Sequence, residues 1–270
     1  MKIHHMNCGT LCPLGERWVK GDGGLGSTDI VCHSLLIEAG DQLVLVETGF
    51  GTEDAQHPYK RLGVRFNLGL RPKPRAHETA FERIKAMGLD PADVGHITVT
   101  HLDLDHAGGL PDFPGADVHV FGPEQRAALN PTLRERPRYR PTHFAHGPKW
   151  VPYEAGGDDW FGFGSVRVME GVDADIALIP LEGHSRGHCA VAVRDGEGWL
   201  LHSGDAYFNH NEMAIPPSCP PALKVFQTAM AADNAKRKAN AERLRELQRD
   251  HGDEITIFCA HDPHDLAAFG

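Results

Sequence analysis

Short apolar runs, each bounded by glycine, proline or polar residues, recur along the chain and predict β-strands. The runs at 30–39 and 42–48 are separated only by Gly40 and Asp41, which predicts a hairpin. Further strand-like runs lie at 96–100, 116–121, 165–169, 176–180, 189–194, 198–203 and 255–259.

Helical patterns lie between some of these runs, at 77–87, at 123–129 and over a long stretch at about 223–250. In the last of these, Leu244 and Leu247 stand three apart among charged residues, which predicts one packed face and one solvated face. Strands interleaved with helices favour an α/β fold in which helices cover two sheets.

Two stretches rich in glycine or proline, 49–76 and 130–164, are predicted to be long loops. Structureless loops of that length are uncommon in a folded domain unless they carry function. We therefore expect them near a functional site.

The composition is that of an ordinary globular protein, and we expect one domain over residues 1–270. A net charge of −10 argues against nucleic acid or an anionic membrane as a partner.

No signal-peptide pattern or membrane-length apolar run is present, so we expect a cytoplasmic protein with its six cysteines reduced. A homodimer remains open.

The densest group of metal-binding residue types is the segment THLDLDHAGG at 100–109, directly after a predicted strand. Four acidic and imidazole side chains packed this closely would be electrostatically costly without a cation. Single polar residues also follow three later strand-like runs, which makes convergence on one rim plausible. The candidate ligands are His101, Asp103, Asp105, His106, His184, Asp205 and His261.

This order of motifs, His-x-Asp-x-Asp-His-x-Gly-Gly, then Gly-His, Gly-Asp and a late His-Asp, resembles the metallo-β-lactamase superfamily over about residues 30–265. The resemblance implies a four-layer αββα sandwich that binds two divalent metal ions at one edge of its sheets. Zinc is the first expectation, with iron or manganese as alternatives. By this resemblance His101, Asp103 and His184 bind the first metal, Asp105, His106 and His261 bind the second, and Asp205 bridges them.

The chain departs from the family pattern at two positions. Asp103 stands where the family usually has a second histidine, and Glu47 stands where the family has an aspartate that orients the metal loop. With Asp103, three carboxylates and one hydroxide balance two divalent cations, so we expect a neutral centre that polarises its water less than the usual one.

The resemblance implies hydrolysis by a metal-bridging hydroxide. Asp105 is expected to orient this hydroxide and pass on its proton, and Tyr207 to point its phenol into the same cleft and stabilise the oxyanion. A small lactone or ester is the first choice of substrate, because the length and the terminal AHD segment are similar to those of acyl-homoserine lactone lactonases.

The basic residues of the two predicted loops favour an anionic substrate, if these loops overhang the metals. They are Lys60, Arg61, Arg65, Arg71, Lys73 and Arg75 in the first, and Arg134, Arg136, Arg138, Arg140 and Lys149 in the second. Alternatives to lactone hydrolysis are a thioester or phosphoester hydrolase, an iron-dependent oxidoreductase of the same superfamily, and a ligand-binding protein without catalysis.

Overall fold

The computed structural model describes residues 1–21, 23–73, 75–157, 159–168 and 172–270, and most of its strands form two large sheets. The strands are β1 (Lys2–Leu11), β2 (Ile30–Ala39), β3 (Gln42–Val46), β4 (Val94–Thr98), β5 (Asp117–Phe121), β6 (Lys149–Tyr153), β7 (Asp159–Trp160), β8 (Phe163–Gly164), β9 (Val166–Val168), β10 (Ile176–Pro180), β11 (Cys189–Asp195), β12 (Gly198–His202) and β13 (Ile255–Phe258). One sheet has the order β1-β2-β3-β4-β5-β6 and the other β13-β12-β11-β10-β9, and β7 pairs with β8 alone.

Helices of four to 18 residues connect these strands. They are α1 (Glu16–Lys20), α2 (Thr52–Gln56), α3 (Pro58–Arg61), α4 (Val64–Leu70), α5 (Ala80–Ala86), α6 (Leu104–Ala107), α7 (Gly122–Leu129), α8 (Pro141–Phe144), α9 (Pro221–Met230), α10 (Asn234–His251) and α11 (Pro263–Ala267). Short 3₁₀ helices lie at Ala76–Glu78, Pro91–Asp93, Leu110–Asp112 and His210–Glu212.

The two sheets pack face to face, and helices cover their outer faces. Leu35 of β2 and Leu178 of β10 lie in the cluster between the sheets, because alternate residues of a strand face opposite sides. Their neighbours Leu36 and Ile179 face outward into two other clusters, to which α5 and α10 contribute. Burying each such side chain stabilises the fold by roughly 1.5–3 kcal/mol. The predicted four-layer αββα sandwich is confirmed.

The predicted strands are present, with ends that differ by at most two residues. The hairpin between β2 and β3 is confirmed, with Ala39 paired to Gln42 and Gly40 at a φ of 62°. The run predicted at 165–169 corresponds to β9, although residue 169 lies outside the described residues. The N-terminal strand β1 was not predicted, because its polar residues mask an apolar pattern; it pairs antiparallel with β2.

The prediction of long structureless loops is wrong for both stretches. Residues 49–76 contain α2, α3 and α4, each at most seven residues long and therefore too short to show a helical period. Residues 130–164 contain α8 and three strands. One of them, β6, carries Pro152, and proline is tolerated there because β6 is the last strand at the edge of its sheet.

The long helix predicted at 223–250 is interrupted, and α9 and α10 are separate. The side chain of Asp233 accepts hydrogen bonds from the amides of Ala235 and Lys236 and so caps α10. In the break, Ala232 and Asp233 donate their amides to the carbonyls of His184 and Gly183. The interruption therefore supports the turn that carries His184.

None of the helices in the described ranges is long and apolar enough to cross a membrane. All six cysteines are free, and five of them are buried, in agreement with the expected reduced thiols.

The topology brings several strand ends to one edge. Strand β3 is parallel to β4, and β12 is parallel to β13, so within each of these pairs the carboxyl ends lie together. His101 follows β4, Asp205 follows β12 and His261 follows β13. Residues that are far apart in the sequence therefore meet at the same rim.

Glu124 of α7 joins two of the loops at this rim. Its carboxylate accepts hydrogen bonds from the amide of Leu102 at 3.0 Å and from the Tyr139 hydroxyl at 3.0 Å through Oε1. Through Oε2 it accepts from the Ser185 hydroxyl at 2.6 Å and the Gly187 amide at 3.0 Å. Four donors on one fully buried carboxylate fix the segment after β4 against the segment after β10.

We expect Glu124→Gln to lower the free energy of unfolding by about 2 kcal/mol, because the amide nitrogen would face buried donors instead of accepting from them. Urea denaturation would measure this, with Glu154→Gln as the matched control, since Glu154 is exposed and pairs with Arg126 at the surface. Equal stability of the two variants would contradict the proposed role of Glu124.

A pair of histidines lies side by side on the adjacent strands β1 and β2. His5 Nδ1 lies 2.8 Å from His33 Nε2, and the His5 ring stacks on Phe269 at 3.6 Å. Burial, followed by the nearby His202, lowers the pKa of His5 to about 4. Burial also holds the pKa of His33 well below its usual value. Both imidazoles are therefore neutral in the folded protein at neutral pH.

A histidine in the unfolded chain has a pKa of about 6.5. Below this pH the unfolded state therefore binds protons that the native state does not bind. We therefore expect the free energy of unfolding to fall between pH 7 and pH 5. The fall should be smaller in His5→Gln and unchanged in His77→Gln, whose side chain is exposed. Urea titrations at both pH values would measure the difference, and identical slopes in all three proteins would exclude this contribution.

Candidate metal centre

The segment after β4 turns sharply into α6 and presents its acidic and imidazole side chains inward. Asp103 precedes α6 as its N-cap residue, and Asp105 and His106 lie within the helix. All of these side chains, with His101, are buried despite their polarity. Burial of so many ionisable groups at one place requires compensating partners.

Asp205 lies at the middle of the predicted ligand set. Its Oδ2 is 3.7 Å from His101 Nε2 and 3.3 Å from His184 Nε2. Its Oδ1 is 3.4 Å from His106 Nε2 and 3.1 Å from His261 Nε2. One carboxylate thus faces two separate pairs of imidazoles, one pair through each oxygen.

The remaining two carboxylates lie at opposite ends of this arrangement. Asp103 Oδ2 is 3.5 Å from His101 Nε2 and 3.1 Å from His184 Nε2. Asp105 Oδ2 is 3.7 Å from His261 Nε2. The structure therefore brings all seven predicted side chains together, in the two groups and with the central aspartate that the sequence pattern implied.

The donor set fits divalent cations. His101, His184 and Asp205 form one group whose ligand atoms lie within 4.8 Å of one another, and His106, Asp205 and His261 form another. Within the described part of the chain, the buried His101 Nε2 and Asp205 Oδ1 have no hydrogen-bond partner. Buried nitrogen and oxygen atoms without hydrogen-bond partners, one facing each group, are what zinc, iron or manganese would bind.

Hydrogen bonds on the far side of each ring hold the imidazoles in position. His106 donates from Nδ1 to Glu47 Oε2 at 2.9 Å, and His261 donates from Nδ1 to the Val31 carbonyl at 2.8 Å. His101 Nδ1 lies 2.9 Å from the Thr100 hydroxyl. These contacts leave Nε2 of each ring free to face the centre.

Glu47 performs the orienting role that its position in the family pattern implied. Its φ is 66°, and its Oε1 accepts a hydrogen bond from the Thr100 amide while its Oε2 binds His106. Burial opposes its ionisation, yet the neighbouring His106 and His202 hold its pKa below the usual value. A glutamate therefore fixes both the strand end and one imidazole.

The central carboxylates are anionic because of their neighbours. Burial alone would raise the pKa of Asp205, but His261, His106 and His184 outweigh it and hold that pKa well below its usual range. Burial also opposes ionisation of Asp103, and here the Arg138 guanidinium is the first of the groups that hold the pKa well below normal. The centre therefore concentrates negative charge among neutral or cationic partners.

His188 and Cys32 lie beside the centre. His188 donates to the Leu181 carbonyl through Nδ1 and accepts a hydrogen bond from the Asp205 amide at Nε2, so it positions the aspartate. Cys32 of β2 groups with Asp105 and His261 within 4.8 Å. Sequence reasoning missed Cys32, because nothing in an apolar strand signals that one thiol faces the site.

The predicted orientation of Tyr207 is wrong. Its hydroxyl is buried and donates to Asp265 Oδ2 at 3.1 Å, away from the cleft. The adjacent Phe208 faces the centre instead, and its ring stacks on that of His261 at 5.2 Å. This position supplies an apolar surface rather than a hydroxyl.

A cleft of about 290 Å³ opens beside His261. Val19, Ile30, Phe208 and Leu223 give it apolar walls. Its polar lining comes from Lys20, Asp29, Asn209, His210, Asn211, Asp262 and His264. The cleft is therefore suited to a small molecule with both apolar and polar parts.

Several basic residues of the two stretches predicted as loops are bound away from the cleft. Arg61 pairs with the buried Asp54, and Arg134 donates to main-chain carbonyls of the segment around α9. Lys73 pairs with Asp29, which lines the cleft. Arg138 is different, because it reaches Asp103 itself. The aromatic residues of 150–163 also lie away from this cleft; Trp160 and Phe163, for example, pack in the cluster beneath α10.

The chain matches known proteins over nearly its whole length. The family model described as the metallo-beta-lactamase superfamily matches residues 27–251. A probable metallo-hydrolase of Mycobacterium tuberculosis is 40% identical over 264 residues, which cover 97% of this chain and 81% of that protein. The N-acyl homoserine lactonase AttM of Rhizobium johnstonii is 31% identical over 274 residues, which cover 100% of this chain and 96% of the lactonase.

Solved structures show the same fold at lower sequence identity. An N-acyl homoserine lactone hydrolase with N-hexanoyl-L-homoserine at its catalytic metal centre has a TM-score of 0.74 and 21% identity, covering 99% of this chain and 95% of the other. A dizinc quorum-quenching lactonase has a TM-score of 0.64 and 14% identity, covering 97% and 87%. The chain therefore belongs to the metallo-β-lactamase superfamily and is a metallo-hydrolase with the fold of that superfamily.

Proposed function

We propose that this protein hydrolyses a small lactone or ester at a centre that binds two divalent metal ions. His101, Asp103 and His184 would hold the first ion, Asp105, His106 and His261 the second, and Asp205 would bridge them. The observation that carries this proposal is the position of the Asp205 carboxylate, whose two oxygens face two different pairs of imidazoles.

Two bound cations would supply Lewis acidity and activate water near neutral pH, with zinc the first expectation. The chain's own groups provide the positioning: Glu47 orients His106, and Glu124 holds the His184 turn against the loop before α6. Asp105 lies on the side of the centre nearest His261 and the cleft, where it would orient the attacking water and pass a proton to the leaving group.

The proposed substrate class rests on the cleft and on the relatives. Apolar walls at Phe208 and Leu223 would accommodate an acyl chain, and the polar groups at His210 and Asn211 would accommodate a compact polar head. AttM, a relative aligned along the full chain, is an N-acyl homoserine lactonase. Within the described ranges Lys20 is the one lysine or arginine that lines the cleft, and the nearby Lys73 is paired with Asp29. A neutral ester therefore fits the cleft better than a highly charged phosphoester.

We expect the purified protein to hold about two divalent ions per chain, and Asp205→Asn to lose most of both, because the amide cannot bridge two cations. Metal content would be measured by mass spectrometry after reconstitution with zinc, manganese or iron. Asp262→Asn is the matched control, since Asp262 is the neighbour of His261 but binds His210 and caps α11. Full metal content in Asp205→Asn would refute the bridging assignment.

On a panel of N-acyl homoserine lactones, aryl esters, thioesters, phosphoesters and β-lactams, we expect the highest kcat/KM for lactones or esters. Proton release or product absorbance would measure the rates, and Asp205→Asn should lower kcat/KM by at least about 100-fold. Preference for a phosphoester would overturn the substrate class. Oxygen consumption by the iron-loaded protein would instead indicate the oxidoreductase alternative.

A further inference from the structure

Arg138 inserts its guanidinium into the candidate metal centre. Its Nε lies 2.8 Å from Asp103 Oδ1. Its Nη1 donates to the His184 carbonyl at 2.8 Å, and its Nη2 donates to His184 Nε2 at 2.9 Å. Both Arg138 and Asp103 are only 6% exposed. This arginine therefore contacts two members of the predicted ligand set directly, and an ion bound by His184 Nε2 would displace Nη2 from that nitrogen.

The surrounding segment holds Arg138 in this position. The amides of Arg138 and Tyr139 both donate to the Glu135 carbonyl, and the Glu135 carboxylate binds Thr132 and Arg186. The next side chain, Tyr139, is buried and donates to Glu124. The guanidinium thus sits on a turn that is fixed on both sides, unlike a mobile surface arginine.

The pairing with Asp103 is specific. Among the ion pairs of the described residues, Arg138 is the one lysine or arginine that pairs with any of the seven candidate ligands. A buried guanidinium cannot lose its proton, so it requires a buried anion beside it. Asp103 is that anion, and it is also the residue that replaces the histidine usual in the family.

The two oxygens of Asp103 serve different partners. Oδ1 faces Arg138, whereas Oδ2 faces His101 Nε2 and His184 Nε2 at 3.5 and 3.1 Å. One oxygen therefore remains available to a cation in the first group, while the other is neutralised. A histidine at this position would present one neutral nitrogen and need no such partner.

We propose that Asp103 and Arg138 together replace the usual histidine as one neutral unit: Asp103 presents Oδ2 to the first metal ion, and Arg138 binds Oδ1 and cancels its charge. This inference rests on the metal centre of the proposed function. It makes Arg138 a residue that balances the charge of Asp103 and is not itself a ligand. When Arg138 is counted, the net charge of the centre equals the charge that a histidine at position 103 would give. Without Arg138, the three carboxylates and one hydroxide would balance the two cations to zero.

The test is a double-mutant cycle on metal affinity, with Zn²⁺ and Mn²⁺ titrated separately against a chelating dye. Asp103→His leaves Arg138 without its anion beside the first site, so affinity for the first ion should fall at least about tenfold. Arg138→Met removes the repelling cation and should strengthen binding about tenfold. Asp103→His/Arg138→Met should return to within a few-fold of the unchanged protein.

A second measurement uses the metal-free protein, where the same pair is a buried ion pair. Asp103→His should lower the melting temperature by about 5 °C or more, and the double variant should recover much of that loss. Arg138→Lys keeps the positive charge and should bind metal as the unchanged protein does. This variant still tests the proposal if Asp103→His folds poorly. Arg140→Met is the matched control, since Arg140 lies in the same segment and donates to the Arg61 and Lys60 carbonyls.

The neutral-unit proposal is overturned if Asp103→His binds metal normally with Arg138 in place. It is also overturned if Arg138→Met loses metal and the double variant does not recover it. A third contrary outcome is that the unchanged protein binds one ion and Arg138→Met binds two, because Arg138 would then occupy the place of the first ion. A protein that binds no metal refutes both this proposal and the proposed function. Two bound ions without lactone or ester hydrolysis refute the substrate class alone.

Discussion

The structure at the sheet rim depends on the electrostatic balance around one buried carboxylate. Asp205 is 4% exposed, and each of its oxygens faces a pair of imidazoles contributed by other segments. Such a carboxylate is stable in the interior only if its neighbours offset the loss of hydration. The strands that end at this rim therefore bring together charges that would be unfavourable singly.

Buried acidic residues outside the ligand set keep this arrangement rigid. Glu124 accepts four hydrogen bonds and ties the loop before α6 to the turn that carries His184. Glu47 ties the end of β4 to the ring of His106. Each carboxylate accepts hydrogen bonds from both main-chain and side-chain groups. These bonds hold the loops that carry the candidate ligands against the strands and helices. Precise ligand geometry then follows from hydrogen bonds that do not themselves involve a metal.

Relatives support the general chemistry and solved structures share the fold, and the local differences define what is particular to this chain. Phe208 faces the centre where a phenol was expected, and Asp103 pairs with Arg138 where a histidine is usual. The first difference makes the cleft more apolar next to His261. If Asp103 binds metal as proposed, the second would preserve local charge while changing the ligand from nitrogen to oxygen, which would favour harder cations than an all-imidazole set.

The sequence by itself determined the layered fold and the seven candidate ligands. Alternating apolar residues in short strands need two faces to bury, and closely spaced His and Asp residues at strand ends have few uses other than metal binding. It could not place β1, whose polar residues conceal its burial, or the short helices of 49–76, which are too brief to show a period.

Only the tertiary structure decided the partners across the rim. Arg138 and Cys32 reach the centre, and Glu124 reaches the loops beside it, from segments with no metal-binding pattern. Long-range packing, rather than local spacing, sets which side chains meet. Tyr207 shows that nearness in sequence does not fix side-chain direction either. It is only two residues from Asp205, but its hydroxyl donates to Asp265. Spacing identifies residue types at a rim, whereas the direction of each side chain depends on the folded backbone.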